Sequence, residues 1–179
     1  MLNINITFTT YLTRALIPKL SERPSLMLFL SSYTSAHPLA MMSVYSATKS
    51  YNEAFGQALA GELRPKNIDV RSILPYFVVS PMSGFRTSSW NVPDPISFAH
   101  TALAQVQCSD YTYSPHWAHD LLSRACDLLP DSMMGSMGLK NMAIARTRLI
   151  RRKERILAAK TKQKAEGANM NKSSANVTQ

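Results

Sequence analysis

The sequence predicts an α/β fold, a parallel sheet wound by helices, on three observations. Short apolar runs alternate with segments of helical period, the joins between them are short, and proline closes element after element. A chain ordered helix, strand, helix, strand needs crossover connections, and these are right-handed in a parallel sheet.

Residues 5–20 form the first expected helix, with Phe8, Leu12, Leu16 and Leu20 at i+4 steps. Pro24 stands in the break that follows. Leu26-Met27-Leu28-Phe29-Leu30 is short and wholly apolar, which fits a strand buried on both faces of a parallel sheet. It ends in Ser31-Ser32 and a loop of small residues containing Pro38. A helical pattern then runs from Ser43 to Arg64, with Ala47, Tyr51, Phe55, Leu59 and Leu63 on one stripe, until Pro65 stops it. Ile68–Leu74 is the second strand, closed by Pro75. Residues 79–94 hold two prolines, several serines and Trp90, and read as a long loop of the kind that carries function. Helices are expected at 95–107 and 115–129. A methionine-rich stretch, 133–142, then leads into a basic helix.

The chain has 179 residues and a net charge of +9, with 45% hydrophobic residues, enough for a core and against wholesale disorder. Residues 1–139 hold 9 basic and 9 acidic side chains, so the surplus charge lies entirely in residues 140–179. The expected organisation is therefore a neutral body over 1–139, a basic amphipathic helix over 140–166 and a disordered polar tail over 167–179. Two cysteines, Cys108 and Cys126, suit neither a disulfide framework nor a zinc site, and indicate a reducing compartment. No apolar run reaches the roughly 18 residues of a membrane span, and residues 1–20 lack a signal peptide's basic start.

The pair that carries chemistry is Tyr45 and Lys49. On a helix, positions i and i+4 share a face, and an ammonium beside a phenol favours the phenolate, which suits the tyrosine to general acid–base work. A solvated helix-face contact is the competing reading of the pair taken alone. Ser32 precedes Tyr45 by 13 residues, at the carboxyl end of a strand, where open α/β sheets bind ligands. His116 and His119 could share a helix face, but no third metal ligand is apparent.

Ser32, Tyr45-Ser46-Ala47-Thr48-Lys49 and Leu74-Pro75-Tyr76-Phe77-Val78 together resemble the short-chain dehydrogenase/reductase superfamily. The Pro-Tyr-Phe-Val wording is similar to its microsomal branch of 17-beta-hydroxysteroid dehydrogenases and very-long-chain 3-oxoacyl-CoA reductases. The similarity runs from about Asn3 to Arg155. It implies a Rossmann-like doubly wound parallel sheet and NADP(H)-dependent reduction of a lipophilic ketone. Tyr45 would be the proton donor, Lys49 would lower its pKa and bind the nicotinamide ribose, and Ser32 would orient the substrate. Asn5 matches the helix asparagine that holds a relay water, with an N-cap as its alternative role; Val78 and Ser80 match positions that contact the nicotinamide carboxamide.

The family's TGxxxGxG turn, which takes the cofactor pyrophosphate at a helix N-terminus, matches none of the six glycines. The chain is therefore expected to be the carboxyl-terminal half of such a domain. Its strands would then lose cover and leave an open edge, and the isolated chain would bind dinucleotide poorly with little or no turnover. The resemblance also implies the endoplasmic reticulum membrane surface and leaves homodimerisation open. A second class of function is non-catalytic: Arg146, Arg148, Arg151, Arg152, Lys153 and Arg155 cluster around Ile150 and Ile156, a pattern suited to peripheral contact with an anionic membrane. Nucleic acid is a minor alternative, since no aromatic residue interleaves with those charges.

Overall fold

The computed structural model describes residues 1–107 and 110–175, so Cys108 lies outside the described residues. It forms two units, Met1–Gly135 and Ser136–Gln179. In the first, a single π-helical stretch, Asn3–Phe8, runs directly into α1, Thr9–Leu20. β1 spans Ser25–Leu30, α2 Tyr33–Ala36, α3 Ser43–Leu63 and β2 Ile68–Ile73. A 3-10 turn, Arg64–Lys66, and a left-handed Asn67 (φ 55°) turn the chain from α3 into β2. After the long loop come α4 (Pro95–Gln105), the two-residue β3 (Thr112–Tyr113) and α5 (Trp117–Asp127). Asp94 starts α4 by accepting the Ile96 and Ser97 amides at 3.1 and 3.0 Å, and Pro95 follows at N1, where its missing N–H costs nothing.

The sheet is parallel, in the order β1-β2-β3, with Ser25 opposite Ile68 and Leu30 opposite Ile73. Because side chains alternate across a strand, β2 serves two cores. Ile68 and Val70 face Phe29, Leu59 and Leu63 of one cluster; Ile73 belongs to the other, with Phe98, Ala102, Val106 and Tyr113. Helices on both faces of a parallel sheet are the doubly wound arrangement expected.

The structure departs from the sequence expectation in several places. The first helix is π-wound at its start rather than α-helical throughout. Its apolar stripe is also largely exposed at Phe8, Leu12 and Leu16. Pure i+4 steps turn a helix by about 400°, so such a stripe drifts about 40° per step away from any fixed face. The same drift separates the Ala47–Leu63 stripe from the face α3 buries, which is Ser46, Thr48, Asn52, Gly56, Leu59 and Leu63. β1, expected to be buried on both faces in a whole sheet and to lose cover in a half-domain, is partly exposed. Among the described residues it pairs only with β2, and Leu26 and Leu30 are 40% and 59% exposed. The last element is α6, Asp131–Ala175. No described helix is long and apolar enough to cross a membrane.

Candidate active site

The carboxyl end of β1 and the first turns of α3 are tied together by hydroxyl groups. The Ser31 amide donates to Ile73 O at 2.9 Å, extending the ladder past the strand, while Ser31 Oγ donates to Lys49 O at 2.8 Å. Ser32, extended at φ −164°, is the N-cap of α2: its Oγ accepts the Thr34 amide at 3.3 Å and the Thr34 hydroxyl at 3.2 Å. Serine is favoured there because its short side chain reaches an otherwise unpaired helix N–H. The buried Ser32 hydroxyl is thereby held at the strand end.

Tyr45 and Lys49 sit one turn apart on α3, with Lys49 Nζ 5.8 Å from the Tyr45 ring centroid. Lys49 Nζ donates to Leu30 O at 2.8 Å, and burial pushes its pKa below the ordinary lysine value. One of its three N–H donors is engaged in this way. Tyr45 is half-buried.

Asn5 is not an N-cap. It lies inside the π-helical stretch, whose N-cap is Leu2, and its Nδ2 donates to Thr48 Oγ1 at 2.9 Å. Thr48, fully buried at 0% exposure, donates in turn to Tyr45 O at 2.8 Å. A second bond between the same two helices joins the Thr10 and Tyr51 hydroxyls at 2.7 Å. Sequence reasoning missed Ser31 and Thr48. The signal that could have found Thr48 is a small hydroxyl residue on the buried face of α3, and for Ser31 a hydroxyl directly after the strand.

Val78 and Ser80 lie on the segment leaving β2. Val78 packs against the second core, and its carbonyl accepts Ser83 Oγ at 2.6 Å. Ser80 Oγ accepts the Ser83 amide at 3.1 Å and closes a turn in the long loop. A groove of about 340 Å³ runs between α1 and β1, touching Asn5 and Lys49 but not Tyr45 or Ser32. Its wall includes Asn52, whose Oδ1 is buried with no hydrogen-bond partner among the described residues. Of the histidine pair, His119 has both ring nitrogens facing backbone groups, and no group of three ligating side chains is gathered among the described residues.

The family model described as short chain dehydrogenase matches residues 1–90. A very-long-chain 3-oxoacyl-CoA reductase of Scheffersomyces stipitis is 29% identical over 177 residues, covering 89% of this chain and 51% of that protein. The Debaryomyces hansenii protein of the same description is 33% identical over 136 residues, 68% of this chain and 39% of its own length. The chain thus spans about half the length, or less, of the curated relatives it matches. Among solved structures, a short chain dehydrogenase from Burkholderia cenocepacia J2315 in complex with NADP superposes with a TM-score of 0.61 at 19% identity, over 70% of this chain and 52% of that one. A 7beta-hydroxysteroid dehydrogenase gives 0.64 at 13% identity, over 75% and 55%. At these identities the two structures establish the fold.

Proposed function

The chain belongs to the short-chain dehydrogenase family, and from that premise we propose that it serves the NADP(H)-dependent reduction of a lipophilic ketone of the 3-oxoacyl-CoA or 17-ketosteroid type. The observation that carries this reading is the pairing of Tyr45 and Lys49 on one face of α3, beside the strand end where Ser32 is held.

The residues present fit the nicotinamide end of such a cofactor. Lys49 keeps two N–H donors beyond the one given to Leu30, and Val78 offers an apolar contact on the next strand exit. None of the six glycines offers a pyrophosphate cradle. When bound, NADP(H) supplies the hydride. The Tyr45 hydroxyl gives its proton to the ketone oxygen, and the Ser32 hydroxyl holds that oxygen in place. The Lys49 ammonium favours the phenolate left behind. Asn5 contributes a relay position next to Thr48, and Ser80 shapes the loop on the carboxamide side.

The test measures conversion of a 3-oxoacyl-CoA to its 3-hydroxy product by mass spectrometry, at saturating NADPH. Slow turnover is expected, falling about 100-fold or more in Tyr45→Phe, the range a positioned general acid supplies. Equal product from wild type and Tyr45→Phe would refute the assignment of the proton. No product from wild type would refute catalysis by this chain and leave the binding reading.

That binding reading rests on α6, where Leu149, Ile150, Ile156 and Leu157 are exposed among Arg151, Lys153 and Arg155. Such a helix can lie on anionic lipid, consistent with the endoplasmic reticulum surface that the family resemblance implies. Sedimentation with phosphatidylserine vesicles, reversed by salt, would support it.

A further inference from the structure

His119 is a buried ionisable side chain, at 1% exposure, that the proposed mechanism leaves unused. Its Nδ1 faces the Tyr76 amide at 3.3 Å and its Nε2 faces Asn91 O at 3.1 Å. An amide N–H only donates and a carbonyl only accepts, so the tautomer is forced: Nδ1 is the acceptor and Nε2 carries the proton. One neutral ring therefore bridges two segments 15 residues apart in sequence, the exit of β2 and the return of the long loop.

What that bridge holds matters for the site. The Tyr76 ring packs edge-on against Tyr33 at 4.9 Å, and the Tyr33 amide donates to Pro75 O at 2.9 Å. Tyr33 follows Ser32 directly. Two residues beyond Tyr76 is Val78, and the Val79 amide donates to Pro93 O at 3.0 Å on the same loop return. We propose that His119 is a positioning residue, whose imidazole clips the 75–79 segment to the loop and so fixes both Val78 and, through Tyr76 and Tyr33, the Ser32 hydroxyl. The inference rests on the reductase reading for what Val78 and Ser32 do, but the clip itself is testable without turnover.

The clip needs a neutral ring, since a proton on Nδ1 removes the acceptor. The titratable groups facing His119 are His116, with ring centroids 4.7 Å apart, and the Tyr76 phenol; α4 presents Phe98. Burial holds His119 below the usual imidazole pKa against the opposing pull of the Asn91 and Phe77 backbone, and His116 lowers it further. The net lowering keeps the clip closed at neutral pH.

The test uses the full chain labelled with 15N-histidine, together with amide hydrogen exchange of residues 31–36 and 74–80 in His119→Phe and His119→Gln. The expected results are an Nε2–H ring in wild type and exchange accelerated about tenfold or more in both segments of His119→Phe, since a buried amide loses its partner. Rescue is expected in His119→Gln, whose amide can both accept and donate, and acid below pH 6 should loosen wild type but not His119→Gln. An Nδ1–H or doubly protonated ring at neutral pH would overturn the proposal, as would unchanged exchange in His119→Phe or equal loosening in both variants. If His119→Phe does not fold, the acid dependence of wild type against His119→Gln decides. Absence of ketone reduction in every form would sink the reductase reading while leaving the exchange result to judge the clip.

Discussion

Replacing Gly56 by alanine tests whether the depth at which α3 lies on the sheet is set by the missing side chain. A Cβ there would stand 2.8 Å from Tyr111 Oη, 2.9 Å from Phe29 Cδ2 and 3.2 Å from Ser72 Oγ. Phe29 is in the core and Ser72 is fully buried on β2, so neither yields easily. Restoring ordinary contact needs movements of about half an ångström, and overpacking of this kind costs about 1–3 kcal/mol. Alanine also gains about 1 kcal/mol over glycine in a helix interior. Gly61 supplies the control, because a Cβ there meets nothing within 4 Å. Gly61→Ala should stabilise by about 0.5–1 kcal/mol, whereas Gly56→Ala should destabilise by up to about 2 kcal/mol. The gap between the two variants cancels the helix preference and isolates the clash. Urea melts of both, read against wild type, measure it, and thermal melts should separate by about 2–4 °C per kcal/mol. Equal midpoints for the two variants would refute the close-packing argument, and with it the idea that this contact fixes where Tyr45 and Lys49 stand at the other end of the helix.

Three further outcomes follow from the same contacts. Thr48→Val removes the acceptor of Asn5 and the donor to Tyr45 O at nearly constant shape; it should cost about 1–3 kcal/mol in urea melts, with Thr48→Ser recovering part of the loss. His116 and His119 both have native pKa values depressed by burial. The unfolded chain then binds more protons, so stability is full above an unfolded value of about 6.5 and falls as the pH drops below it. Melts between pH 7.5 and 5 check this, and His119→Gln should flatten the slope. Lys49 is likewise depressed by burial, so the unfolded state takes up its proton first. Stability should therefore rise as the pH climbs through the depressed native value to the unfolded lysine value of about 10.4, and Lys49→Met should lose that rise.

The fold was legible where large apolar side chains set a period. The apolar content of Leu26–Leu30 and Ile68–Leu74, and the proline that ends α3, placed both long strands and the helix between them. Two-residue β3 was not legible, because its partner groups on Ser72 and Ile73 lie 40 residues away and no local pattern records them. The π-winding at Asn3–Phe8 escaped for a related reason. No propensity in Asn-Ile-Asn-Ile-Thr-Phe dictates it, whereas the bond from Asn5 to Thr48 rewards the extra residue in the turn.

The site was legible in its ionisable members and hidden in its hydroxyls, and one face of α3 explains both. Thr48, Asn52, Gly56, Leu59 and Leu63 follow steps of four, four, three and four, close to the true period of about 3.6. The stripe is therefore a single buried face, apolar over the middle of the sheet and polar or small at the end. A hydrophobicity scan registers Leu59 and Leu63, then slides onto Phe55, Tyr51 and Ala47, which are half-buried or exposed. The polar change at Asn52 and Thr48 marks where the face passes beyond the apolar core to the strand end, where Leu30 O accepts Lys49 Nζ. A buried helix face that turns polar over its first turns thus locates the open end of the sheet, and Tyr45 and Lys49 are the ionisable residues placed beside it.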